Sequence, residues 1–203
     1  MNKALFFFTA LFLLCLQFPV YSEGISRIVT PKLTTTQTTT KITPWPTRMK
    51  HRLKQIWYEG NNDLYLTGYA WHNRYLYSKE RLALGHYNEH AWGGGLGKGW
   101  YDEDDDWQAL YAIVFLDSHT KVEPWAGYAF LKTLHLGEKV RLGGGFTLAL
   151  TMRPDILNGY PFPAATPLVS VNYKRLALFA AYVPGFQDTG NILFMFARWS
   201  FGH

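Results

Sequence analysis

The chain has 203 residues, enough for one domain of ordinary size, and its single cysteine, Cys15, excludes a disulfide framework. Aromatic residues make up 17% and glycines number 18, a mix that suits an all-β membrane protein better than a helical enzyme. The formal net charge of +5 mildly favours anionic partners such as phosphates, and no nucleic-acid partner is expected.

The N-terminus reads as a secretory signal peptide, residues 1–22. Lys3 gives the charged start, Ala4 to Phe18 the apolar segment, and Val20-Tyr21-Ser22 the cleavage site. Cys15 leaves with it. No later apolar run is long enough for a spanning helix, so a membrane location requires a closed barrel. Residues 23–46 form a tether: TTTQTTT (Thr34 to Thr40) has nothing to bury, and Pro44-Trp45-Pro46 closes it. Residues 47–60 follow as a short amphipathic helix capped by Thr47. Met49, Leu53, Ile56 and Trp57 fall near one side and basic residues around the rest, which suits either a membrane surface or packing in a soluble domain.

Residues 61–203 then carry eight strand-like segments: Asp63–Tyr77, Trp92–Tyr101, Trp107–Ser118, Val122–Leu134, Val140–Arg153, Pro163–Tyr173, Leu176–Val183 and Asn191–Phe201. In the first, Tyr65, Tyr69 and Trp71 share one face and Leu66, Gly68, Ala70 and His72 the other. In the second, Gly93, Gly95, Gly97 and Gly99 share a face opposite Trp92, Leu96 and Trp100. The third is apolar on both faces and ends on Asp117-Ser118; with lipid on one side, the other is a greasy interior with a carboxylate and a hydroxyl at its rim. In the fifth, Leu142, Phe146, Leu148 and Leu150 oppose Gly143, Gly145, Thr147 and Thr151. Large residues facing out and small ones facing in predict a narrow eight-stranded antiparallel transmembrane β-barrel with space inside. Connections alternate long and short, except that His119 to Lys121 is short on the long side; with the N-terminus inside, His72, Asp117 and Ser118 lie on the outward half.

The acidic run Asp102 to Asp106 lacks the spacing of a calcium loop and reads as a solvated turn. His86 and His90 lack a third ligand, so no metal is expected, and no cofactor. His72 reads as a general base or as an interface histidine without chemistry. Asp117 could orient its imidazole. Ser118 could attack or hydrogen-bond the reacting groups, and the absence of GxSxG argues against an acyl-serine. Arg74, Arg141 and Arg153 are candidate phosphate contacts, and Arg153, at the outer end of the fifth segment, suits a lipid headgroup.

Seven stretches carry a family resemblance: WHNRY (Trp71–Tyr75), YNEHAWGGGLG (Tyr87–Gly97), LYAIVFLDS (Leu110–Ser118), EPWAGY (Glu123–Tyr128), GGGFT (Gly143–Thr147), PFPAATPLVSVNY (Pro161–Tyr173) and YVPGFQDTGN (Tyr182–Asn191). In that order they resemble the PagP family, lipid A palmitoyltransferases of the Gram-negative outer membrane. The resemblance implies a periplasmic helix before an eight-stranded barrel. It implies transfer of palmitoyl, or a somewhat shorter chain, from a phospholipid to a hydroxyacyl chain of lipid A in the outer leaflet. It implies a monomer whose partners are membrane lipids. The family's essential His, Asp and Ser match His72, Asp117 and Ser118. Its lateral lipid entry, where proline cannot donate to a neighbouring strand, matches Pro167 and Pro184. A second such gap has Thr67 and Ala91 in place of prolines. The glycine that floors the acyl pocket in the best-known member is Ala129 here. Alternative functions are an outer-membrane phospholipase using water as acceptor, a structural or adhesion barrel, and a soluble lipocalin-like barrel.

Overall fold

A computed structural model describes residues 44–75, 88–154, 156–185 and 190–202. The expected signal peptide and all but residues 44–46 of the expected tether lie outside them, as do His86 and the end of the expected first strand, residues 76–77.

Helix α1 spans Trp45–Glu59. Trp45 and Pro46, expected to close the tether, instead form its first turn, where the missing proline N–H would have had no partner in any case. The N–H groups of Thr47 and Arg48 donate to the Pro44 carbonyl, so Thr47 lies inside that turn and does not cap it. The chain divides into two units within α1, after His51. In the second unit Ile56 is fully buried, and Arg52 stacks over Trp100 at 5.2 Å and pairs with Glu103 at 2.8 Å. The helix stops at Gly60, whose N–H donates to the Ile56 carbonyl and whose missing β-carbon would strike that oxygen.

Eight antiparallel strands follow: β1 (Asn61–His72), β2 (Gly93–Tyr101), β3 (Trp107–Leu116), β4 (Val122–His135), β5 (Val140–Thr151), β6 (Phe162–Tyr173), β7 (Leu176–Val183) and β8 (Ile192–Ser200). Each pairs with the next, and β1 closes on β8. Closure leaves no free edge, the condition for backbone in lipid. Alternation sets the faces. On β5, Gly143, Thr147, Ala149 and Thr151 are buried while Leu142, Phe146 and Leu150 are exposed. Exposed Leu96, Val114, Leu134, Val169, Val171 and Leu178 carry the same apolar exterior onto other strands, the band a lipid-embedded barrel presents.

Two expectations about the interior are corrected. Tyr65 points inward and is 1% exposed, although it shares its parity with the outward Tyr69. The cause is a register shift between Thr67 and Tyr69 in the β1–β8 ladder. Such an extra residue reverses the alternation, so Asp63, Tyr65 and Thr67 face in before it and Ala70 and His72 after it. The glycines of β2 do not leave empty space either. A β-carbon on Gly93 or Gly95 would come within 2.7 Å of the side chain of Phe115 or Ile113. They are small so that β3 can crowd against them.

Two ladders are incomplete at the same end of the barrel. Pairing of β6 with β7 begins only at Leu168–Ala181, leaving Phe162 to Pro167 without a β7 partner. Pairing of β1 with β2 stops at Thr67–Gly93. No proline ends it; the Thr67 hydroxyl donates to the Ala91 carbonyl at 2.6 Å, taking a ladder acceptor out of use.

Candidate active site

β1 delivers His72 as its last inward residue, 2% exposed. β3 ends one residue before Asp117-Ser118, and both are buried. These two strand ends are not neighbours in the sheet, because β2 lies between them. The segment before β2 joins them: the Asn88 N–H donates to the Ser118 carbonyl at 3.0 Å, and the Ala70 N–H donates to the Glu89 carbonyl at 2.9 Å.

His72, Asp117 and Ser118 line one continuous cavity whose wall is almost wholly apolar: Tyr111, Ile113, Phe115, Phe194 and Phe196 among others. Ala129 lines its lower part with Trp107, Leu168 and Phe179. Ala109, the β3 partner of Ala129, lies eight residues before Asp117. That is about 27 Å of strand, or about 20 Å along the axis at the usual tilt, a depth suited to a long acyl chain. Arg153 also reaches the cavity, whereas Pro167 and Pro184 do not line it. Pro167 points outward, beside the incomplete β6–β7 ladder.

The polar contacts assign work differently from the spacing of the residues. Asp117 Oδ1 accepts the N–H groups of His119 and Lys121, both at 2.8 Å. It therefore holds the tight β3–β4 turn in which Thr120 takes a positive φ of 61°. The carboxylate beside the imidazole is Glu89, with Oε1 4.0 Å from His72 Nδ1. Glu89 is gripped by Tyr69, whose hydroxyl donates at 2.9 Å, and by Arg74 at 3.2 Å. Partial burial pushes its carboxyl up, but those hydrogen bonds, the Arg74 charge and the His72 backbone N–H outweigh burial and hold it below the ordinary value. It is ionised at neutral pH. Arg74 is thus engaged with Glu89, and Arg141 lies at the opposite end of the barrel, near Asp105 and over the Tyr101 ring.

Another glutamate, Glu123, is buried and lines the cavity itself. It accepts the Trp125 indole N–H at 2.7 Å and the Thr151 hydroxyl at 3.0 Å, and Arg153 lies 3.8 Å away. Sequence reasoning missed both glutamates. Glu123 was detectable, because it shares the inward parity of Trp125, Gly127 and Ala129. Glu89 sits in a connection without periodicity, where no such signal exists.

The acid residues of the Asp102–Asp106 turn are held by protein donors. Asp102 accepts Asp104 N–H, Asp106 N–H and the Gln108 amide; Asp106 accepts Thr133 N–H and pairs with Lys132; Asp105 pairs with His135.

A family model described as antimicrobial peptide resistance and lipid A acylation protein PagP matches residues 52–198. The chain belongs to the PagP family. That match takes in the second half of α1, β1 to β7 and β8 as far as Arg198. Similar proteins named lipid A acyltransferase PagP include that of Bordetella pertussis strain Tohama I, 54% identical over 160 residues, covering 77% of this chain and 87% of that one. That of Legionella longbeachae is 52% identical over 151 residues, 74% of this chain and 65% of that one. That of Legionella pneumophila is 48% identical over 147 residues, 72% and 77% of the two chains.

Proposed function

We propose that this protein is a lipid A acyltransferase of the bacterial outer membrane, and that it moves a palmitoyl or somewhat shorter chain from a phospholipid to lipid A in the outer leaflet. The observation that carries the reading is the apolar cavity, which runs from His72, Asp117 and Ser118 down to Ala129 and Trp107. An acyl tail would lie in the cavity with its ester carbonyl at the rim, so that binding the tail also positions the reacting carbon.

His72 takes the proton of the acceptor hydroxyl, and the oxygen attacks the ester carbonyl carbon. The tetrahedral intermediate collapses by breaking the bond to the glycerol oxygen, which leaves with the proton returned by His72. Ser118 hydrogen-bonds the reacting groups at the rim, and Asp117 fixes the turn that presents it. Arg153, with Glu123 3.8 Å away, faces a lipid phosphate at the mouth. Lipids enter sideways through the incomplete ladders, at Pro167 and Pro184 on one side and beside Thr67 on the other. No cofactor takes part in these steps.

A purely structural barrel would fill its interior with polar side chains, and the cavity wall argues against one. Mass spectrometry of lipid A from cells with and without the protein tests the reading. One added acyl chain is expected, lost in His72→Asn and Ser118→Ala. Unmodified lipid A with release of free fatty acid would instead identify a phospholipase.

A further inference from the structure

We infer that Glu89 is a positioning residue for the acyl transfer: a fixed negative charge that holds the His72 imidazole and stabilises the imidazolium formed when His72 takes the acceptor proton. The inference rests on the reading of His72 as the base, and goes beyond it by naming the carboxylate that serves it.

Geometry carries the argument. Glu89 Oε1 is 4.0 Å from His72 Nδ1, close enough for a strong Coulomb interaction beside a low-dielectric cavity. The carboxylate cannot drift away. Tyr69 and Arg74, on either side of His72 in the chain, each hold one of its oxygens, and the Glu89 carbonyl is tied to Ala70. Asp117, another acid near this corner, spends Oδ1 on the two N–H groups of its own turn.

Among the described residues, Arg74 is paired with Glu89, and His119 lies in the β3–β4 turn. Glu123 and Arg153 face each other on the same cavity. Glu89 is therefore the negative charge fixed on the Nδ1 side. In the reaction the proton passes from the acceptor hydroxyl to His72 and then to the departing glycerol oxygen. Glu89 gains no proton at any step; it lowers the energy of the charged intermediate.

The test is the pH dependence of transfer by the full-length protein folded in detergent micelles, with phosphatidylcholine as donor and lipid A as acceptor. Wild type is compared with Glu89→Gln, which keeps the size of the side chain and its hydrogen-bonding oxygen but removes the charge. The expected result is a kcat lower by about tenfold, little change in KM, and an acid limb of the kcat profile moved down by about one pH unit. The shift follows because imidazole without its counter-charge is the weaker base.

A merely structural role would lower activity without moving the limb. Imidazole nitrogen NMR of His72 in the same micelles reads the same shift without turnover. Should Glu89→Gln fail to fold, Tyr69→Phe, which releases one carboxylate oxygen, is expected to move both readouts in the same direction by less. An unmoved limb and an unmoved His72 titration, with His72→Asn inactive, would overturn the role of Glu89 and leave the base in place. Full transfer by folded His72→Asn would overturn the base and Glu89 together.

Discussion

Ala129 is the residue proposed to set acyl-chain length. It is 1% exposed, faces inward on β4 and lines the lower cavity with Trp107 and Phe179. On the proposed reading, a methyl there would take up length that an acyl chain could otherwise occupy, and close-packed walls do not yield it cheaply. Ala129→Gly is therefore expected to shift donor preference toward longer chains, by about one or two methylenes, at a cost of about 1 kcal/mol or less in stability. Rates on phospholipids of graded chain length measure it, and an unchanged profile would remove Ala129 as the determinant of length.

The β3–β4 turn shows how an element depends on one side chain. Asp117 Oδ1 accepts two N–H groups, and the backbone of Asp117 closes on Thr120 and Lys121. Removing the acceptor strands two donors in a part-buried turn. Asp117→Ala is expected to cost about 1–2 kcal/mol and to lose most transfer, because the Ser118 carbonyl tie to Asn88 depends on the same turn. Asp117→Asn keeps an acceptor oxygen and is expected to recover most of that stability. Denaturant unfolding of the detergent-folded barrel separates the two variants. If both lose equally, the charge and not the turn is what the residue supplies.

For the whole molecule, the barrel is divided into an apolar upper cavity and a polar lower layer. Arg198 is buried over the rings of Trp107 at 4.8 Å and Phe179 at 5.8 Å, and lies 3.6 Å from the Asp63 carboxylate. This layer ties β1 to β8, the pair that closes the barrel. Arg198→Met leaves a buried carboxylate without its cation and is expected to cost about 3–5 kcal/mol. Asp63→Asn added to it is expected to restore much of the loss. Unfolding of the single and double variants checks this, and equal stability of the two would show that the ion pair is not what holds the seam.

The sequence by itself determined the strand count, the inward and outward faces of β5, the presence of a helix before the barrel and the inward direction of Ala129. It could do so because a strand in lipid alternates with a period of two, and that period is written in consecutive residues. Three features were decided only in three dimensions. The reversal of Tyr65 comes from a register shift against β8, which lies more than a hundred residues away in the chain. The tie between the His72 and Ser118 strand ends comes from residues Asn88 and Glu89, which belong to no regular element. The β1–β2 gap has no prolines and instead carries a side-chain hydrogen bond, Thr67 to Ala91. Each depends on which groups barrel closure brings together, and closure is a condition on all eight strands at once that no local pattern records.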